Sequence, residues 1–302
     1  ALQAASPLYS APKEGSPAMI PFSLLEPESV DEARALLDAD DPSIRLLGGG
    51  TALMLLMRSG LFQPQALVSL RRLAPQYRAI TTLDNEVRIG AMASLSSIER
   101  SAAVRSAAPV VSRTMQRLSN VRVRNVATIG GHLAHGDPHM DLPPVLMALD
   151  AQVVTAAAAG SRTLAVADLY TGYYETALAH NELISEIIVP SQLGRCSAYI
   201  KLTTRTADDW PTLGVAVSLT LDGKTVTDAR VVVSAATEKP LRLQTAEAAL
   251  RGETITDAVL ARAGEAAAAE AELVGDARGS AAYKRELLRV YAGRAVRKAL
   301  AA

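Results

Sequence analysis

The sequence predicts an α+β fold, and three observations lead there. Over roughly the first 180 residues, short apolar runs of strand length alternate with helical stretches, punctuated by Gly, Pro and Asp. From about Glu182 four β-rich runs follow one another: Leu183–Val189, Ala198–Leu202, Gly214–Leu221 and Ala229–Ser234. After Pro240 the chain becomes Ala-rich and helical. A length of 302 residues suits two domains, or one large domain with a subdomain, and 49% apolar residues can fill a sizeable core.

Taken in order, Phe22 to Leu25 reads as a first strand. Ser29 and Glu32 have capping-box spacing, so a helix is expected through Leu37, ended by Asp40-Asp41-Pro42. Ile44 to Leu47 reads as a buried strand running into Gly48-Gly49-Gly50, and Thr51 is placed to cap a short helix over Ala52 to Arg58. Ala66 to Leu70 and Val87 to Ala91 read as strands, the second followed by two helical stretches between Leu95 and Leu118. Beyond a second glycine pair, Val145 to Leu149 leads into an extended run, Gln152 to Thr155. The last two β-rich runs are joined by Asp222-Gly223, a hairpin-turn dipeptide. The final helix, Ala281 to Leu300, places Leu287, Tyr291 and Ala295 at i, i+4 spacing for burial. A domain boundary is expected near residue 190, and no internal repeat is present.

Composition narrows the function. Lys plus Arg number 31 and so do Asp plus Glu, with no basic block, so nucleic-acid binding has no electrostatic footprint. No apolar run approaches the length of a membrane span. The single cysteine, Cys196, rules out an internal disulfide framework and a cysteine-ligated iron–sulfur cluster, both of which need several thiols. It reads as a buried structural thiol, and the cytoplasm is the expected compartment. Residues 1–18 are rich in Ala, Ser and Pro without a signal-peptide core, and Met19-Ile20-Pro21-Phe22 resembles a natural start. The preceding segment reads as a flexible extension or an expression remnant.

Two glycine loops carry most of the chemistry. Gly48-Gly49-Gly50-Thr51 follows the strand Ile44–Leu47, and about eighty residues later comes Thr128-Ile129-Gly130-Gly131. A pyrophosphate needs several converging donors, and glycine lets main-chain N–H groups approach it closely and turn through φ > 0. The first loop has the strand–glycine–helix form in which a helix start adds partial positive charge. It is not a P-loop, since no Gly-Lys-Ser/Thr follows, and it lacks the Gly spacing of a dinucleotide-binding Rossmann turn. Alone, each loop is equally compatible with a plain tight turn.

The second loop runs into His132-Leu133-Ala134-His135-Gly136-Asp137-Pro138-His139-Met140-Asp141, which holds three of the four histidines. Enough donors are present for zinc or non-haem iron. Pro138 and Pro143-Pro144 argue against a regular helix that would align them, and no metal ligand is assigned. The fourth histidine, His180, next to Asn181, reads as a surface-loop residue.

Together the flanking sequences resemble a known family. Leu46-Leu47-Gly48-Gly49-Gly50-Thr51-Ala52-Leu53 is similar to the first flavin motif of the FAD-binding medium subunits of molybdenum hydroxylases, relatives of carbon monoxide and xanthine dehydrogenases. Arg124-Asn125-Val126-Ala127-Thr128-Ile129-Gly130-Gly131-His132 resembles the second motif, usually R-N-V-A-T-I-G-G-N, and Asp137-Pro138 and Asp141-Leu142-Pro143-Pro144 continue it. Glu182-Leu183-Ile184, Ala198-Tyr199-Ile200-Lys201, Asp209-Trp210-Pro211-Thr212 and Gly279-Ser280-Ala281-Ala282-Tyr283-Lys284-Arg285 also fit, so the resemblance runs from about residue 19 to 300. Two positions depart: Ala52 replaces the usual Asp or Glu, and His132 replaces Asn or Asp.

This resemblance implies a two-part FAD-binding domain of the vanillyl-alcohol oxidase type over 19–190, with subdomains of about 19–75 and 76–190. A C-terminal antiparallel sheet-and-helix domain over 191–302 is implied as well. It implies that Gly48, Gly49, Gly50 and Thr51, with Thr128, Gly130, Gly131 and His132, hold the FAD pyrophosphate, chiefly through main-chain N–H groups. Leu46, Leu47, Ala52, Ala127, His135 and Asp137 are implied as further cofactor-binding residues. Asp141 is implied to accept hydrogen bonds from the ribityl or flavin region, or else is an ordinary helix N-cap. Lys201 is implied to lie near the flavin, where a cation stabilises the charge gained on reduction, or else is a solvated strand residue. Tyr199, on the same strand face, is placed to cover the ring. Leu118 and Ile184 are implied apolar flavin neighbours that could equally be core. No catalytic residue is assigned.

The expected function is electron transfer. A partner subunit with two [2Fe–2S] clusters, itself supplied by a large molybdopterin subunit, would pass electrons through FAD to an external acceptor, in a dimer of heterotrimers. Two other readings stand: a free-standing FAD-dependent oxidoreductase, and a metal-binding module built on the histidines.

Overall fold

The computed structural model describes residues 20–37, 41–157 and 160–302, so the segment read as an extension over 1–18 lies outside it. The first layer is a small parallel sheet of β1 (Ser23–Leu25), β2 (Ile44–Leu47) and β3 (Ala66–Ser69), in the order β1-β3-β2. Every residue of β3 is buried, as a central strand requires. Between the strands run α1 (Val30–Ala35) and α2 (Leu53–Arg58). Ser29 caps α1 by accepting from Glu32 N–H at 3.1 Å, while the Glu32 carboxylate reaches back to Glu28 N–H at 2.8 Å, one residue earlier than in a capping box.

The second layer is a five-stranded antiparallel sheet, β4-β5-β10-β6-β7, built from β4 (Ile80–Leu83), β5 (Glu86–Gly90), β6 (Gln152–Ala157), β7 (Gly160–Ala165) and β10 (Leu183–Val189). A small hairpin, β8 (Tyr170–Gly172) and β9 (Glu175–Thr176), precedes β10. Between β5 and β6 the chain forms α3 (Leu95–Arg100), α4 (Ala102–Ala107), α5 (Pro109–Met115), α6 (Val121–Val126), α7 (Ile129–Ala134) and α8 (Leu142–Ala148). The stretch expected as two helices up to Leu118 is three short ones. Ser101 ends α3 and caps α4 through Val104 N–H, and Pro109 starts α5. No single helix aligns the histidines: α7 ends at Ala134, Pro138 lies between helices, and Pro143-Pro144 fall in the first turn of α8, where an N–H is not needed.

The third layer is the antiparallel sheet β11-β12-β13-β14, from β11 (Arg195–Leu202), β12 (Leu213–Asp222), β13 (Thr225–Ser234) and β14 (Leu241–Arg242), followed by α9 (Gln244–Ala248), α10 (Asp257–Glu270) and α11 (Ala281–Leu300). Alternation along β12 and β13 splits this sheet between two cores. Val215, Val217, Leu219, Val231 and Val233 pack with α10 and α11, whereas Ala216 and Val232, with Tyr199, join the core around α8. The helical layer and the C-terminal sheet therefore share one apolar seam. Cys196 is half-buried beside the C-terminal core. Among the described residues, no helix is long and apolar enough to cross a membrane.

In α11 the buried stripe is Leu288, Ala292, Ala295 and Ala299, with Leu287 and Tyr291 only flanking it. The cause is its contact with α10, where backbones meet. A Cβ on Gly264 would lie 2.0 Å from the Arg289 carbonyl oxygen, so the small-residue face must point inward. Gly264→Ala should therefore lower stability by about 1–3 kcal/mol through overpacking. Thermal unfolding monitored by circular dichroism would show it as a lowered Tm, and an unchanged Tm would refute the close crossing.

Candidate cofactor site

The two glycine loops press against each other. A Cβ on Gly49 would lie 2.2 Å from the Val126 carbonyl oxygen and 2.7 Å from Ala127 Cα, and one on Gly48 would lie 2.7 Å from Thr128 Oγ1. On the far side, a Cβ on Gly130 would come within 2.7 Å of Ala91 Cβ. Gly50, at φ 73°, turns the chain into α2. A cavity of about 520 Å³ opens beside this junction, lined by Arg45 to Leu53 from the first loop and by Ala127, Thr128, Gly130, Gly131, His132 and His135 from the second.

The loops contribute unequal things. Thr51 does not cap α2: Ala52 holds the N-cap position with no side-chain bond, because the first turn is closed by Met54 N–H donating to the Gly50 carbonyl at 2.9 Å. Among the described residues, no protein acceptor takes the N–H groups of Gly48 through Ala52, which leaves a row of donors at the cavity wall. In the second loop the N–H groups are spent. Ile129 donates to Ala93, Gly130 to Ala91 at 2.8 Å, Gly131 to Thr128 Oγ1 at 3.2 Å, and His132 to the Thr128 carbonyl at 2.9 Å. What the second loop offers instead is a surface without Cβ atoms, the Thr128 hydroxyl hydrogen and His132.

His132 is buried, and its Nε2 has no protein partner although the residue lines the cavity. Burial first, then His135 and Lys201, depress its pKa from 6.5 to about 3 against the opposing pull of Asp137. A neutral imidazole results, able to give one hydrogen bond and take one. Burial likewise lowers His135, which meets Tyr174 edge-on with ring centroids 5.4 Å apart. Other cavity residues escaped sequence reasoning, among them Arg45, Phe62, Tyr174 and His180. The Arg45 guanidinium lies 5.6 Å from the Phe62 ring centroid. His180, read as a surface residue, is half-buried with Nε2 unpartnered, because its loop is drawn over the cavity. Glu182 accepts from Ala179 N–H, and Arg162 donates to both the Ala177 carbonyl and Glu182.

Of the remaining expected residues, Ile184 lines the cavity, whereas Leu118, Asp137, Asp141, Tyr199 and Lys201 do not. Leu118 is buried in the helical core. Tyr199 and Lys201, on one face of β11 as their spacing requires, both reach Asp141: Tyr199 OH donates to Oδ1 at 2.8 Å and Lys201 Nζ to Oδ2 at 2.9 Å. Lys201 also donates to the Arg117 carbonyl at 3.0 Å. Asp141 stands at the N-cap of α8 but makes no cap bond, so its carboxylate serves this buried cluster. Burial pushes the Asp141 carboxyl above its usual range, against Lys201, Tyr199 and Arg117. Asp137 works differently. Burial would raise it, but bonds from the His139 ring, the His139 N–H and Tyr174 outweigh that and hold it low.

His139 turns away from the other histidines, with Nδ1 2.9 Å from Asp137 Oδ1, Nε2 3.1 Å from Asp276 Oδ2, and its ring stacked on Trp210. Among the described residues no group of three or more His, Cys, Asp or Glu is arranged to hold a metal ion.

Comparison with known proteins decides the family. Residues 20–192 match the model of the FAD binding domain in molybdopterin dehydrogenase, and residues 198–299 match that of the CO dehydrogenase flavoprotein C-terminal domain. The chain belongs to the FAD-binding medium subunits of the molybdenum hydroxylases. It is 35% identical to the carbon monoxide dehydrogenase medium chain of Hydrogenophaga pseudoflava, over 93% of this chain and 97% of that one. It is 31% identical to the nicotine 6-hydroxylase medium subunit of Paenarthrobacter nicotinovorans, over 87% and 91%. Among solved structures, carbon monoxide dehydrogenase from Hydrogenophaga pseudoflava superposes with a TM-score of 0.90 at 36% identity, covering 94% of this chain and 99% of that one. Quinoline 2-oxidoreductase from Pseudomonas putida 86 gives 0.87 at 27% identity, covering 94% and 97%. The fold is that of these flavoproteins, the protein is an oxidoreductase subunit, and its cofactor is FAD.

The cavity fits that cofactor. Free main-chain donors suit a pyrophosphate, the unpartnered His132 Nε2 calls for a polar contact, and the volume lies in the range of cofactor sites.

Two expectations follow. In the flavin-free chain, the unfolded state takes up a proton at His132 as pH falls through 6.5, while the folded state does so only near 3. Its contribution is thus present above 6.5 and lost across that window at up to about 1.4 kcal/mol per pH unit. Urea unfolding at pH 7 and pH 5 should show a smaller loss for His132→Gln than for wild type; equal losses would contradict the neutral buried ring. Lys201→Met should cost about 3–5 kcal/mol by leaving Asp141 buried without its cation. Adding Asp141→Asn should recover part of the lost Tm, and a single variant as stable as wild type would refute the pair.

Proposed function

We propose that this chain is the electron-transfer subunit of a multi-subunit molybdenum hydroxylase. It would take electrons from the [2Fe–2S] clusters of a small partner subunit and deliver them to an external acceptor. A large molybdopterin subunit would carry out the hydroxylation, the whole forming a cytoplasmic dimer of heterotrimers. Residues 19–190 would hold the FAD and residues 191–302 would form the second domain.

The observation that carries this reading is the near-complete, two-sided coverage between this chain and medium chains of molybdenum hydroxylases. The relatives are named as chains or subunits of larger enzymes, and this chain spans almost their whole length. A lone cysteine leaves the clusters to another chain.

Bound FAD supplies one- and two-electron chemistry. Gly48 through Ala52 would receive the pyrophosphate on their N–H groups, with the Thr51 and Thr128 hydroxyls as further donors. His132 would donate or accept at Nε2 or Nδ1 according to tautomer, and Ile184 would present an apolar contact. His132 and His135 are both shifted toward the neutral form, in which each ring can give one hydrogen bond and take one. In this reading Asp141, Tyr199 and Lys201 act from behind the cavity wall, holding β11 against α8.

The test is anaerobic stopped-flow on the complete complex and on the FAD-loaded chain alone. The complex should show cluster bleaching followed by flavin bleaching when its organic substrate is added, and the isolated chain should show none. Flavin reduction in the isolated chain by that substrate would favour the free-standing oxidoreductase.

A further inference from the structure

On the face of β11 that looks toward α5 and α11 lies a second, smaller cleft of about 60 Å³, lined among others by Arg113, Thr114, Arg117, Lys201 and Lys298. Lys201, at its inner end, is neutralised by Asp141. The other three cations are not. Arg113 donates to the Ser197 carbonyl at 3.2 Å and Lys298 to the Tyr199 carbonyl at 2.9 Å. Among the described residues no carboxylate pairs with Arg113, Arg117 or Lys298, although ion pairs are plentiful elsewhere and the chain carries 31 acidic side chains against 31 basic ones. Burial first, then Arg117 and Arg113, lower the Lys298 pKa, and the nearby carboxylate, Asp141, is taken up by Lys201 and Tyr199.

Convergent like charges disfavour one another, and a low-dielectric wall strengthens that effect. We propose that Arg113, Arg117 and Lys298 form an anion site that takes a single carboxylate, supplied by an acidic side chain on the surface of a partner protein. At about 60 Å³ the cleft suits a carboxylate- or phosphate-sized group. All three side chains are exposed at its mouth, as contact with another chain needs. Arginine supplies the planar fork that matches a carboxylate, and the pinned lysine supplies a point charge beside it. None of the three lines the cofactor cavity, so the site is additional to the one that holds FAD.

The test uses the full FAD-loaded chain at low salt, with fluorescein-labelled hexaglutamate as probe in fluorescence anisotropy and inorganic phosphate as competitor. Wild type should bind the peptide and release it to phosphate. Arg113→Ala/Arg117→Ala, and separately Lys298→Met, should each weaken peptide binding by about tenfold or more. Arg205→Ala, at an exposed arginine paired with Asp209, should leave it unchanged. Unaltered flavin content in each variant checks that the fold persists. Equal weakening by Arg205→Ala, or no weakening by the cleft variants, would overturn the site. Phosphate binding without peptide binding would overturn its assignment to a partner's carboxylate and leave a free oxyanion as the ligand.

Discussion

The structure of the cofactor site depends on one close approach, that of Gly49 to the carbonyl of Val126. At this point the parallel sheet of β1 to β3 meets the helical layer, and a Cβ would sit 2.2 Å from a main-chain oxygen that has no freedom to move aside. Several features follow. The first loop can lie flat on the second only because Gly48 and Gly49 have no side chains. That contact places the uncapped start of α2 beside the second loop, so the free donors of one element face the glycine surface of the other. The two sheets thereby become walls of a common cavity.

Buried polar groups define how the remaining layers meet. Asp141 at the start of α8 binds Tyr199 and Lys201 of β11, which ties the helical layer to the C-terminal sheet across a seam that is otherwise apolar. A second tie runs through His139, whose two ring nitrogens face Asp137 on one side and Asp276 on the other, and Asp276 also holds the buried Lys284. Lys284 donates to the Ala235 carbonyl, and Ala235 N–H donates to the Pro138 carbonyl. Paired buried charges add little net stability over apolar packing, but removing one partner is costly, so such ties fix geometry more than they strengthen it.

Much of this was legible in the sequence. Leu183–Val189 is an apolar run that is mostly buried, whereas Ile44–Leu47, read as a buried strand, is an edge strand with Arg45 exposed and its apolar residues half-buried. The glycine loops announce themselves through a residue type that tolerates both tight turns and close packing. Two edge strands of the five-stranded sheet were not legible. In β4 (Ile80–Leu83) and β7 (Gly160–Ala165) mostly exposed Thr, Ser and Arg leave no apolar alternation to find. The phase of α11 was misjudged because the face that packs is chosen by Gly264 on another helix. Within the site, the loops were found from local pattern. The pairing of Lys201 with Asp141, sixty residues apart, has no local signal, and resemblance alone brought those residues together. The internal use of the Ile129 and Gly130 N–H groups was equally invisible, since their acceptors at Ala93 and Ala91 lie just after β5, whereas Gly131 and His132 donate locally to Thr128.

The division of labour between the loops is the central claim, and a crystal structure of the chain with FAD bound tests it most directly. The account predicts pyrophosphate oxygens within hydrogen-bonding distance of N–H groups among Gly48 to Ala52, while Gly130 and Gly131 keep their internal bonds and lie against the cofactor as bare surface. A pyrophosphate held by the N–H groups of Ile129 to His132, with the first loop making no contact, would contradict it.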